Sequence, residues 1–203
     1  MPRSPWLRPD PLLLASTSPT RRLLLESAAL PVETASPDLD ERAVEASSQD
    51  LSPPDLALRL ARAKADAVAA RHPGRVVLGA DQVLELDGTV FHKPRDAAEA
   101  RAQLARLAGR THALHSAVAL AGALDDAFVE TARLTIRPLD ARAIAAYVAC
   151  AGEDRVRASV GGYQLEGPGI HLFESVAGDH STVLGLPLLP LLTRLRDAGY
   201  LDF

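Results

Sequence analysis

The chain has 203 residues, 47% of them apolar, and a net charge of −4. That is enough apolar chain to bury a full core, as one large domain or two lobes. The acidic balance excludes bulk nucleic-acid binding, which needs a basic face, but local arginine clusters can still hold a small phosphorylated ligand. Residues 1–10 read as a flexible N-terminal extension. The first apolar run, Leu12–Ala15, is only four residues long, so no secretory signal or membrane span is expected. A soluble, cytoplasmic protein with no membrane partner follows. The single Cys150 excludes an internal disulfide, and no Cys/His spacing suits zinc. Cys150 ends a helical stretch and is expected to be buried and inert.

The most informative stretch is Leu12–Leu25, LLLASTSPTRRLLL. The apolar run stops at a Ser/Thr/Pro turn, and a helix begins with Ser18 as N-cap and Pro19 at its first position. Arg21 and Arg22 then fall in the first turn, where the helix dipole costs each cation about 0.3–1 kcal/mol. A bound anion removes that conflict. Free backbone N–H groups, the hydroxyls of Ser16, Thr17 and Ser18, and two guanidiniums together describe a phosphate site. The plain alternative is a solvated arginine pair.

Glu33–Pro54 is polar and acidic and reads as a long connection with room for short structure. Ser52-Pro53-Pro54-Asp55 opens a helix running to about Arg71, with Leu56, Leu60, Ala63 and Ala67 as its apolar stripe and Lys64 at the stripe's edge. Arg75–Ala80 reads as a buried strand with Asp81 at its C-terminal end. Gln82–Leu86 and Thr89–Phe91 form a hairpin around Asp87-Gly88. Lys93 leaves that hairpin. Asp96–Glu99 caps a further helix that Gly109 closes. Thr111–Ala121 and Phe128–Arg137 are long alternating segments, Asp140–Cys150 is helical, and a Gly-rich loop, VGGYQLEGPG, precedes a strand at Ile170–Val176. Pro187–Ala198 is a terminal helix. This mixture without a regular βαβ rhythm predicts a mixed α/β fold in one domain, 1–203.

Asp81 is the best single candidate for chemistry. A carboxylate at a strand end can take a proton from water or bind Mg²⁺, although a turn aspartate bonded to its own backbone is the plain alternative. Lys64 must snorkel or find an anion. Asp38, Asp40 and Glu41 form an acidic knot, usually solvated but able to meet a magnesium ion. Glu166 lies where glycines let backbone approach a flat ligand. His112, His115 and His171 read as structural residues in strands. Neither a Walker A sequence nor a Rossmann glycine turn is present.

Taken together, these segments resemble the Maf family of nucleoside triphosphate pyrophosphatases. The resemblance rests on LLLASTSPTRRLLL, PDLDE at Pro37–Glu41, LARAKA at Leu60–Ala65 and GADQV at Gly79–Val83. LDG, HKP, LAGRTH, GGYQLEG and LGLPL follow in the family's order, so it covers Leu12 to about Tyr200. It implies a mixed sheet with flanking helices, split into two lobes around a long cleft, as in inosine triphosphate pyrophosphatases. It implies a house-cleaning hydrolase that cuts a nucleoside triphosphate between its α- and β-phosphates with Mg²⁺ or Mn²⁺. Asp81 would be the proton acceptor, with Ser16, Arg21, Arg22, Glu41, Lys64 and Lys93 around the phosphates, and Glu41 and Asp81 on the metal. A homodimer is the family's expectation.

Three positions tune base choice in the family, and here they are Thr20, Gln82 and Glu166. Gln82 and Glu166 resemble the branch acting on 7-methyl-GTP. Thr20 departs both from that branch's Trp and from the Arg of the branch acting on dTTP and UTP. The competing readings are a dTTP/UTP pyrophosphatase and a non-catalytic, nucleotide-binding regulator of cell division. His92 and the run His180-Ser181-Thr182 also depart from the family pattern.

Overall fold

The computed structural model describes residues 4–203. It is a mixed α/β fold. The strands are β1 (Leu12–Ala15), β2 (Val32–Thr34), β3 (Val76–Leu86), β4 (Thr89–Phe91), β5 (Thr111–Gly122), β6 (Asp126–Ile136) and β7 (Phe173–Ala177). The helices are α1 (Pro19–Ser27), α2 (Glu41–Ala46), α3 (Pro53–Ala69), α4 (Ala97–Leu107), α5 (Ala141–Ala151), α6 (Glu153–Ala158), α7 (His180–Val183) and α8 (Leu188–Asp197). The sheet runs β2-β1-β3-β5-β6-β7, with β4 paired to β3. β1 is parallel to β2 and β3, whereas β3–β4 and β6–β7 are antiparallel.

Two compact units emerge. The first comprises the chain up to Gln82, Ser116–Glu130 and Leu184–Phe203; the second comprises Val83–His115 and Thr131–Val183. Both are discontinuous in sequence, so no linker marks them. In the first unit, Leu12, Leu14, Leu25, Leu78, Leu120 and Leu195 are among the core residues. In the second, Leu84, Leu104, Leu134, Ile136, Tyr163 and Leu172 belong to a core of their own. Among the described residues no helix is long and apolar enough to cross a membrane.

Local chemistry explains most element boundaries. Ser18 accepts from the Arg21 N–H as N-cap of α1, with Pro19 in the first turn. Ser52, Asp96 and Asp140 cap α3, α4 and α5 in the same way. Asp87 and Gly88 both have positive φ (50° and 77°), the requirement of a two-residue hairpin turn that follows the twist of the strands.

Several expectations are corrected. Residues 4–10 are docked, not free: Trp6 is buried, it bridges to Leu201, and the Leu7 N–H donates to the Tyr200 carbonyl. Residues 1–3 of the expected extension lie outside the described residues. The connection Glu33–Pro54 carries short structure, as the sequence allows: the end of β2 and all of α2. Asp81 does not end a strand, because β3 continues unbroken to Leu86. Segment 170–176 starts as a 3-10 turn, Pro168–Leu172, which carries an exposed His171, before β7 begins. Cys150 is exposed, since α5 turns its buried face through Ile144, Tyr147 and Val148.

Candidate active site

Gly79 sets the geometry of the first unit. A Cβ there would lie 2.2 Å from the Ala61 carbonyl oxygen and 2.7 Å from the Ala65 nitrogen. Only the bare glycine lets α3 pack this closely on β3. Strand side chains repeat every second residue, so Asp81 shares the face of Gly79 and meets the same helix. Between Ala61 and Ala65 stands Lys64, and its Nζ donates to Asp81 Oδ1 at 2.6 Å. The parallel partner β1 stops opposite Gly79, so Asp81 extends beyond the end of the β1 ladder. The strand goes on, but its neighbour ends.

Lys64 is not at the edge of the α3 stripe but inside it. The buried residues of α3 are Leu56, Ala57, Leu60, Ala61, Lys64, Ala65 and Val68, while Ala63 and Ala67 are only half-buried. An ammonium 5% exposed requires anions, and it has two: Asp81, and Glu41 Oε2 at 2.8 Å. Asp81 is itself 8% exposed. Glu41 opens α2, whose N-cap is Asp40. Asp38 turns away to Ser36 and Arg71, which hold its carboxyl below the usual range. The acidic knot therefore sends one carboxylate to the cluster, one to a cap and one to the surface.

Arg21 braces this arrangement. Its Nε donates to the Gly185 carbonyl at 2.9 Å and its Nη1 to the Ala80 carbonyl at 2.8 Å, with Ser16 Oγ at 3.4 Å. Burial pulls the guanidinium's pKa down, while Asp81 and Glu41 push it up. Arg21 thus ties α1 to the backbone directly before Asp81. Ser16, buried, also accepts from the Ser18 N–H. Arg22 is directed elsewhere: it pairs with Glu26 at 2.6 Å on the exposed face of α1. Thr20 is half-buried in the first turn of α1.

Gln82 follows Asp81 on the opposite face of β3 and donates through Nε2 to Ser116 Oγ at 2.9 Å. Ser116 is fully buried on β5. Gly185, with φ +87°, passes beside both Arg21 and Gln82: a Cβ there would lie 3.5 Å from Arg21 Nε and 3.7 Å from the Gln82 amide carbon. Gly79, Ser116 and Gly185 were not singled out by sequence reasoning. Gly79 and Gly185 stand inside quoted motifs, which was the available signal; Ser116 offered none beyond a polar residue in an apolar strand.

The other two candidates lie in the second unit. Lys93 is exposed after β4. Glu166 is exposed on a turn between two 3-10 segments. That turn is closed tightly, because a Cβ on Gly169 would lie 2.3 Å from the Gln164 carbonyl oxygen. His112 and His115 are structural as expected. His112 Nε2 meets the Tyr163 hydroxyl at 2.5 Å, and burial lowers its pKa to about 4. His115 Nδ1 meets Thr131 Oγ1 at 2.9 Å.

Among the described residues no three His, Cys, Asp or Glu side chains gather as a ready-made metal cage. Glu41 and Asp81 on one ammonium do fit the other mode of magnesium binding, in which one or two carboxylates share the ion with substrate phosphates.

The chain matches the family model described as "Maf-like protein" over residues 11–198. It is 50% identical over 200 residues to a nucleoside triphosphate pyrophosphatase of Rhodopseudomonas palustris (strain HaA2), covering 98% of each chain. It is 52% identical over 199 residues to a protein of the same name from Nitrobacter winogradskyi, covering 97% of this chain and 98% of that one. A 7-methyl-GTP pyrophosphatase of Rhizobium johnstonii is 49% identical over 195 residues, 94% of this chain and 98% of the relative. With a full-length family match and half of its residues shared with such relatives, the chain belongs to the Maf-like protein family.

Proposed function

We propose that this nucleoside triphosphate pyrophosphatase hydrolyses 7-methyl-GTP, or another modified purine nucleotide, to the monophosphate and pyrophosphate. The observation that carries the reading is the buried Lys64–Asp81 pair with Glu41 on the same ammonium. Lys64 uses one Asp81 oxygen, Oδ1. The second oxygen is left to accept a proton from the water that cleaves the bond between the α- and β-phosphates. Lys64, Arg21 and Lys93 neutralise charge on the phosphate chain, where fixed cations favour the transition state. Glu41 and Asp81 would hold Mg²⁺ or Mn²⁺, which supplies Lewis-acid charge neutralisation when bound.

Base choice rests on Gln82 and Glu166. A carboxylate accepts only, and guanine presents two donors, N1–H and its exocyclic amine. The 7-methylated ring is also cationic, which suits Glu166. Thymine and uracil present one donor between two carbonyls, so a carboxylate faces oxygen. That mismatch costs about 1–3 kcal/mol. The name of the Rhizobium relative supports this reading. The test is kcat/KM for 7-methyl-GTP, GTP, dTTP and UTP in the wild type and in Glu166→Gln. The methylated guanine nucleotide should lead by roughly tenfold or more, and Glu166→Gln should narrow the gap from both sides. A wild type that prefers dTTP or UTP overturns the base assignment.

A further inference from the structure

We propose that Lys64 stands in for the divalent cation when no nucleotide is bound, so that metal enters the site with the nucleotide and not before it. This rests on the reading that Glu41 and Asp81 are the metal's carboxylates. The ammonium and a divalent ion compete for the same two carboxylates. Lys64 Nζ lies 2.6 Å from Asp81 Oδ1 and 2.8 Å from Glu41 Oε2, and the lysine is 5% exposed. It is held there by its own helix, because the packing of α3 on Gly79 fixes the backbone on either side of it. Arg21 donates to the Ala80 carbonyl directly before Asp81, and the charges of Asp81 and Glu41 both push its pKa up.

Two cations therefore face two carboxylates, and the local charge is balanced. A bare divalent ion would add two positive charges beside a buried ammonium and would take Glu41 from it with nothing to replace that partner, which is costly. A nucleotide changes both terms. Its phosphates bring anionic oxygens for the ammonium and further ligands for the metal. Glu41 is the arm free to move, since its side chain is 51% exposed on a short helix, whereas Asp81 is fixed in β3. Lys64 then exchanges its contact with Glu41 for phosphate, and the carboxylate turns to the metal that arrives with the substrate.

Water proton relaxation enhancement by Mn²⁺ tests this, because it separates protein-bound Mn²⁺ from the Mn²⁺–nucleotide complex. Wild-type protein titrated with Mn²⁺ alone should give little enhancement. Adding the non-hydrolysable α,β-methylene analogue of GTP should produce it, with Mn²⁺ held at least about tenfold more tightly. Lys64→Met should bind Mn²⁺ without nucleotide, again at least about tenfold more tightly than wild type. Wild-type protein that binds Mn²⁺ equally well with and without the analogue overturns the proposal, whether or not the Met variant folds. If Mn²⁺ in the ternary complex is unaffected by Glu41→Gln and by Asp81→Asn, the metal is held elsewhere, and the ligand assignment falls instead.

Discussion

The two units treat buried polarity in opposite ways. Among the described residues, the buried charged side chains are Lys64 and Asp81, and both belong to the first unit. The second unit buries titratable groups in their neutral form. Burial pulls His112 down to about 4, raises Tyr147 to about 12 and raises Tyr163 still further. His112 Nε2 meets the Tyr163 hydroxyl and the Tyr147 hydroxyl donates to the Gly162 carbonyl, while His112 Nδ1 and Gln103 Oε1 are buried without a partner among the described residues. A buried ion pair is weak evidence for stability, since well-packed apolar residues often do as well. Its burial in the first unit suits the proposed chemistry, and the neutral polar groups of the second suit structure.

The largest expected effect separates those two roles. Asp81→Asn should lower kcat by roughly 10²-fold or more, the usual scale of general-base loss. Steady-state kinetics would show it, and near-wild-type turnover would remove Asp81 as the base.

The buried neutral groups of the second unit should respond to pH, not to substrate. His112 is neutral in the native state, and its folded pKa lies below the ordinary value of 6.5. Unfolded chain binds its proton first as pH falls. The stabilisation is therefore complete above about pH 6.5 and is lost progressively toward pH 4, by up to about 3 kcal/mol. Urea unfolding midpoints between pH 4 and 7 would show that slope, and His112→Asn should flatten it.

Gly79 tests whether helix packing builds the charged cluster. Gly79→Ala forces a methyl into the Ala61 and Ala65 backbone and should cost about 1–3 kcal/mol. Activity should fall with stability, because α3 carries Lys64. The smallest effect is expected at Ser116→Ala, which removes the acceptor of the Gln82 amide. A hydrogen bond of about 0.5–1.5 kcal/mol corresponds to roughly a two- to tenfold change in base preference, read as a ratio of kcat/KM values with turnover on the best substrate preserved.

Features set by local chemistry were legible in the sequence. Ser18 and Pro19 start α1, and Asp87-Gly88 makes the hairpin, because capping and positive φ are properties of adjacent residues. Asp81 was legible as a candidate but not in its setting. Its position looked like a strand end, whereas it is the neighbouring β1 that ends, a matter of pairing between distant segments. Lys64 seemed marginal for the same reason: only Glu41 and Asp81, from elsewhere in the chain, make its burial tolerable. Arg21 read as a free cation, yet its carbonyl partners at Ala80 and Gly185 lie 59 and 164 residues away. Cys150 and the short helix α6 were misjudged or missed, since nothing local caps α6 and the apolar count around Cys150 says little about which face of α5 is covered.

The Lys64–Asp81–Glu41 cluster is expected to serve cleavage of the bond between the α- and β-phosphates of a nucleoside triphosphate. Phosphorus-31 NMR of the products of a complete reaction with Mg²⁺ tests it most directly. Equal amounts of nucleoside monophosphate and pyrophosphate, with no diphosphate intermediate, are the expected result. Nucleoside diphosphate with orthophosphate would place the cleaved bond elsewhere and contradict the account.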